Sequence, residues 1–126
     1  NSPDVGTKPK NKSKHHQRHD FAMGLQLVTT LAKQKNKIAA LTETGLEGIT
    51  NDKWHTEVIL NPIKSTPDIQ LAYIMAWRNA NTKHHYAPYP GHSSAPDFVT
   101  FYNDALTLFE SNIQNVYITG KPLIKK

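Results

Sequence analysis

The sequence predicts an α/β fold in which parallel strands alternate with helices, present only in part. Three observations predict it. Helix-like and strand-like stretches follow one another in the order helix, strand, loop, helix, strand, long loop, helix, an alternation that calls for parallel strands joined by helices. The two strand-like stretches are nearly continuous in apolar residues, the pattern of strands covered on both faces. The chain has 126 residues, whereas a closed alternating barrel takes roughly 250; two strands close nothing by themselves.

Residues 1–19, NSPDVGTKPKNKSKHHQRH, show no apolar periodicity and read as a basic polar loop or tail. Asp20 is a candidate helix cap. In the stretch that follows, Met23, Leu27 and Leu31 repeat at four-residue spacing, with Leu25, Val28 and Ala32 beside them. This is a one-sided helical pattern. Its lysines gather at the end, where the helix dipole favours them. Residues 37–42 form the first apolar strand, broken by Gly45 and Gly48. Asn51 and Asp52 offer a cap for a helix through Trp54, Val58 and Ile59, ending near Ser65 or Thr66, with Pro62 expected to kink or end it. Residues 69–77, IQLAYIMAW, form the second strand. The loop from Arg78 onward is rich in Pro, Gly, Asn and His, and loops of that length are commonly functional or disordered. Ser94, Pro96 and Asp97 read as a capping box that opens a helix lined by Phe98, Phe101, Tyr102 and Leu106. Residues 117–126 hold a further candidate strand.

Charge and composition narrow the function classes. The net charge is +5, and residues 1–19 supply most of it: Lys8, Lys10, Lys12, Lys14 and Arg18 against Asp4. The rest is close to neutral, so the basic character belongs to the tail, either a solvated loop or an attractor of anions. There is no cysteine, which excludes disulfide and thiolate chemistry. No stretch approaches the roughly 18 apolar residues of a membrane helix. Asn1 opens a polar stretch rather than a leader, so a mature or internal piece of a longer chain is expected. Six of the seven histidines cluster, at 15, 16 and 19 and at 84, 85 and 92. No carboxylate or cysteine accompanies them at a zinc spacing, and neither a metal nor any other cofactor is expected.

In alternating barrels the reacting groups sit just past the carboxyl ends of the strands. Glu43 falls at such a point after the first strand. A carboxylate fixed there suits the nucleophile of a retaining glycosidase; the plain alternative is a surface Glu paired with a Lys. Glu47, beyond the glycine turn, is a weaker candidate that orients a neighbour or faces solvent. Trp77 ends the second strand, followed by Arg78 and Asn79. Its ring can lie against the C–H face of a sugar while Arg78 and Asn79 bind hydroxyls, or it can be core. Leu71, Tyr73, Met75 and Trp77 share one strand face, so only a bulge lets Trp77 differ from the others in direction.

Four stretches, ALTETGLEGI (40–49), KWHTEVILNPIK (53–64), AYIMAWRNA (72–80) and HHYAPYPGHSSAPDFVTFYNDALTLFES (84–111), together resemble the C-terminal part of glycoside hydrolase family 26, the β-mannanases. The resemblance runs in order over about residues 20 to 116. It implies a (β/α)8 TIM barrel, of which residues 20–126 would be the C-terminal portion, about strands 7 and 8 with flanking helices. It implies endo-acting, retaining hydrolysis of β-1,4-mannosidic bonds, with β-mannan or manno-oligosaccharide as partner and neither nucleic acid nor membrane involved. Glu43 would be the nucleophile at the end of strand 7. Trp77 would be the stacking platform at the end of strand 8, and Arg78, Asn79, His84, His85, Tyr86 and Tyr89 would bind substrate. The family's acid/base Glu lies at the end of strand 4, to which nothing here corresponds. An upstream barrel segment carrying it is therefore expected, and the chain is expected to be inactive without it. A secreted, periplasmic or cell-surface location goes with the family. Two rivals stand beside this reading: a non-catalytic carbohydrate- or polyanion-binding fragment, and a barrel hydrolase for another β-glycan.

Overall fold

The structure, a computed structural model, describes residues 14–113. The expected tail before Lys14 and the candidate strand over 117–126 lie outside the described residues. Helix α1 (Lys14–Gln34) begins ahead of Asp20 and takes in residues 14–19, which the sequence pattern assigned to the loop. That stretch contains neither Gly nor Pro, and extending an existing helix is far cheaper than starting one. Arg18 is placed to donate to the Glu57 carboxylate across to the next helical segment. The helix stops at Asn36, whose φ of 51° is left-handed. The Lys37 N–H reaches back to the Ala32 carbonyl (2.7 Å) and the Asn36 N–H to that of Lys33 (3.2 Å), the paired bonds of a Schellman end.

The buried line of α1 is Ala22, Leu25 and Thr29, while Met23, Leu27 and Leu31 are exposed. The expected apolar face is thus rotated away from the described residues, and the sequence offered two apolar stripes where this part of the fold covers one. Thr29 explains the choice: its hydroxyl accepts from the Gln70 N–H and donates to the Gln70 carbonyl (both 3.3 Å), docking α1 on the approach to the second strand.

Strands β1 (Leu41–Thr44) and β2 (Ile74–Ala76) pair in parallel, as the alternation predicts, and both are shorter than their apolar stretches. Leu41 pairs with Ile74 and Thr44 with Ala76. Three steps along β1 therefore match two along β2, and β1 carries a bulge at Thr42–Glu43. The contacts extend past the regular strands, from the Ala72 N–H to the Ala39 carbonyl (2.8 Å) to the Trp77 N–H on the Thr44 carbonyl (3.1 Å). Continuous apolarity led us to expect cover on both faces, yet Tyr73, Ile74, Met75 and Trp77 are all exposed. Consecutive strand residues point to opposite faces, so both faces of the two-stranded sheet are open among the described residues.

Between the strands runs a short 3-10 turn (Glu47–Ile49), then a π-helical stretch (Trp54–Leu60) continuous with α2 (Asn61–Ser65). Pro62 was expected to kink or end a single α-helix; it sits in the first turn of α2, and the helical path changes from π to α just before it. The wider π turn just before it is closed by the Asn61 N–H on the Thr56 carbonyl. Helix α3 (Ala95–Asn103) follows the long loop, with Pro96 in its first turn. The expected capping box does not form. Ser94 makes no side-chain cap bond, and its hydroxyl faces the His92 ring at 2.9 Å. Asp97 turns away to cap the π-helical stretch, accepting from the His55 N–H (3.0 Å), the Thr56 N–H (3.2 Å) and the Thr56 hydroxyl. A sequence signature for one helix start thus serves another, because four orphan N–H groups at a helix start need an acceptor from wherever one is available.

The core is Ile49, Trp54 and Ile59, with Phe21, Leu46, Val58, Ile63 and Phe101 packed on it. Between this helical layer and the strands lies an apolar hollow of about 970 Å³, lined by Ile59, Ile63, Ile74, Phe98 and Leu108 among others.

Candidate active site

Because β1 and β2 are parallel, their carboxyl ends emerge side by side. Glu43 lies in the bulge of β1, one residue before its end, and Trp77 directly follows β2. Glu43, Thr44, Gly45, Trp77 and Tyr86 line one open concavity of about 430 Å³. The larger apolar hollow includes neither Glu43 nor Trp77, so the smaller concavity is where polar chemistry is available. Glu43 is exposed. The bulge lies in β1 and so sets the direction of Glu43, not that of Trp77, which is exposed like Tyr73 and Met75 on the same face of the second strand.

Gly45 makes the approach possible. Its φ is +150°, and a Cβ there would lie 2.4 Å from Tyr86 Cδ1, well inside any real contact. Tyr86 therefore packs directly on the glycine turn after the catalytic candidate, and the sequence feature of a carboxylate followed by a sharp glycine has a spatial reason.

Tyr86 belongs to the loop after β2, which is held at several points. Asn79 Oδ1 accepts from the Tyr86 N–H (2.8 Å) and the Ala87 N–H (2.9 Å), and Asn79 Nδ2 donates to the Ala87 carbonyl (2.9 Å). A tight turn closes between Asn81 and His84, with Asn81 Oδ1 accepting from the Lys83 N–H at 2.9 Å and the His84 N–H at 3.1 Å. Across to the first strand's turn, the Gly48 N–H donates to the His85 carbonyl (2.9 Å), and His84 Nδ1 meets Glu47 Oε1 at 2.6 Å.

Of the residues nominated from sequence, the structure brings Glu43, Trp77 and Tyr86 together. The others are elsewhere. Asn79 spends its amide on the loop backbone rather than facing the concavity. His84 is engaged with Glu47. His85 is only 4% exposed, with its ring edge-on to Tyr89 and His92 at 5.2 and 5.1 Å, too deeply enclosed to reach a sugar. Tyr89 packs in that same cluster. Arg78 is exposed and outside the concavity lining. Among the described residues no group of three or more His, Cys, Asp or Glu side chains could hold a metal ion, and no helix is long and apolar enough to cross a membrane. The one hint of Asn79's role in the sequence is its place just after a strand and shortly before a Pro-rich run, since an Asn side chain bonds readily to nearby backbone.

No known family's sequence profile matches the chain. Solved structures do. A GH26 β-mannanase from Bacteroides ovatus, BoMan26A, is 40% identical, with a TM-score of 0.64, covering 75% of this chain and 27% of that one. A modular endo-β-1,4-mannanase from Cellulomonas fimi is 30% identical, with a TM-score of 0.71, covering 78% of this chain and 23% of that one. GH26C from a Muricauda species is 26% identical, with a TM-score of 0.65, covering 75% of this chain and 26% of that one. The chain spans about a quarter of the length of the structures it matches.

Proposed function

The chain carries a segment of the glycoside hydrolase family 26 fold, and from that premise we propose that it forms the C-terminal part, strands 7 and 8, of a barrel that hydrolyses β-1,4-mannosidic bonds with retention. The observation that carries this reading is the shared concavity: Glu43 and Trp77, delivered by the ends of two paired parallel strands, line the same opening with Tyr86. The solved neighbours at 30% identity or more are mannanases, which favours a mannan over another β-glycan.

In the proposed reaction a Glu43 carboxylate oxygen attacks the anomeric carbon while the bond to the departing sugar oxygen breaks. That oxygen takes a proton from a carboxylic acid. The same group, now a carboxylate, then removes a proton from water, which attacks the anomeric carbon and releases Glu43. Retention requires the two carboxyls about 5 Å apart. Among the described residues no second carboxyl lines the concavity, and Glu47 is paired with His84. The acid is therefore assigned to an upstream barrel segment, without which the segment described here would not turn over substrate. Trp77 stacks on the sugar. An extracellular or periplasmic setting suits a polymeric substrate.

The test is Glu43→Gln in the enzyme with its complete barrel. The change keeps size and polarity but removes the nucleophile, and kcat on mannan is expected to fall on the order of 10⁴-fold or more. Near-normal turnover would remove Glu43 from the reaction. A panel of mannan, xylan and β-glucan separates the mannan reading from another barrel hydrolase.

A further inference from the structure

We propose that Asn79, supported by the Glu47–His84 pair, is a positioning residue that seats Tyr86 as a wall of the sugar-binding concavity; this rests on the reading of that concavity as a glycan site. Four observations converge on Tyr86. Its backbone N–H, and that of the next residue, both end on Asn79 Oδ1, while Asn79 Nδ2 closes the ring on the Ala87 carbonyl. Its ring lies edge-on to His84 at 5.5 Å, and His84 is held from the other side by Glu47 Oε1 at 2.6 Å. Its ring also abuts Gly45, where no side chain fits. Finally, Tyr86 is the one residue of the long loop that lines the concavity with Glu43 and Trp77.

Ahead of His84 the loop has no buried anchor. Residues 78–83 are exposed, and a loop that long pays a large entropy to place one ring. A single amide that takes three backbone bonds fixes the two peptide planes around Tyr86 at once, and the Glu47–His84 contact joins the turns that follow the two strands. Asn79 thus acts on the sugar through Tyr86, not by touching it. The ligand class is a pyranose, for which an aromatic wall supplies apolar contact.

The test is a double-mutant cycle in the enzyme with its complete barrel, reading the Kd of mannohexaose, xylohexaose and cellohexaose alongside kcat and KM. Asn79→Ala is expected to weaken binding of the preferred oligosaccharide about tenfold, with kcat changed much less. Asn79→Asp keeps both acceptor bonds but sets an oxygen against the Ala87 carbonyl in place of the Nδ2 donor, and is expected to fall between wild type and Asn79→Ala. Tyr86→Ala is expected to weaken binding at least as much as Asn79→Ala, and the double variant no further than Tyr86→Ala alone, since a residue acting through another adds nothing once that other is gone. Glu47→Ala, which removes an exposed pair, is expected to cost about twofold. Independent, multiplying effects of Asn79→Ala and Tyr86→Ala would overturn the proposal, as would an Asn79→Ala enzyme of lowered Tm and unchanged Kd. Preference for xylohexaose or cellohexaose would instead overturn the mannan reading, and the cycle would still decide Asn79 on that ligand.

Discussion

Two acidic side chains lie in opposite surroundings, one in each region of the molecule. At the strand ends, Glu43 is exposed and lines a concavity, and its carboxylate has no hydrogen-bond partner among the described residues. In the helical layer, Asp97 is 2% exposed and accepts from two backbone N–H groups and a hydroxyl at the start of the π-helical stretch. Both follow the same kind of local signal, an acid beside a turn. The difference teaches that an acid whose acceptor sites are filled by backbone donors is structural, while one presented at a rigid strand end with its oxygens free is available for chemistry. The helical layer spends its polar groups on itself; the strand ends keep one in reserve.

The comparison is sharpest if the two acids are exchanged in role by substitution. Asp97→Ala leaves two backbone donors and a hydroxyl without acceptors in a buried place, and a loss of about 3 kcal/mol of stability is expected. Glu43→Gln is expected to change stability by no more than about 0.5 kcal/mol, while in the enzyme with its complete barrel it removes the proposed nucleophile. Denaturant unfolding of both variants beside wild type measures the contrast. Similar losses of stability from the two would erase the distinction between a supporting and a working carboxylate.

How much of this was legible in the sequence follows from what each signal depends on. The parallel pairing of β1 and β2 was legible, because alternation and continuous apolarity are local patterns that force it. So was the placing of Glu43 and Trp77 at strand ends, and their sharing one concavity follows from parallel strands finishing side by side. The true face of α1 was not legible: Met23–Leu27–Leu31 and Ala22–Leu25–Thr29 are both helical stripes, and only the position of Gln70 selects the second. The target of Asp97 was likewise hidden, since the nearest waiting N–H groups belong to a helix some forty residues earlier in the chain. The bulge in β1 has no glycine to announce it and appears only in the register against β2. The histidines misled for a related reason: exposure decides whether His85 can meet a ligand, and two rings of the loop itself, Tyr89 and His92, pack on it.

The glycines of the first turn give a smaller and more local test. At Gly45, alanine brings a Cβ 2.4 Å from Tyr86 Cδ1 and imposes an unfavourable φ of +150°. At Gly48, φ is +68° and nothing lies within 4 Å of the added carbon. Gly45→Ala is therefore expected to cost about 2 to 3 kcal/mol and to displace Tyr86, and Gly48→Ala about 1 kcal/mol of backbone strain alone. Chemical denaturation ranks them, and an equal ranking would mean that Tyr86 is not seated on Gly45.

The smallest expected effect lies in the helical layer and is a pH dependence. His55 is enclosed by Trp54, Phe98 and Phe101, and burial holds its pKa below the usual 6.5, opposed by the Asp97 carboxylate with Oδ2 3.8 Å from Nδ1. A histidine depressed in the folded state binds its proton more readily when unfolded. The folded state therefore keeps its full advantage above about pH 6.5 and loses it as the pH falls from there through the folded pKa. Asp97 shrinks the loss by favouring the charged ring, which is why the effect ranks last. Thermal unfolding at about pH 7.5 and about pH 5.5, on wild type and on His55→Phe, isolates it. The Phe ring keeps the aromatic packing and the backbone N–H that Asp97 accepts from, but it cannot take a proton. Wild type is expected to lose more stability than His55→Phe between the two conditions; an equal loss would mean that His55 is solvated, and that the helical layer is not the closed region that sets it apart from the strand ends.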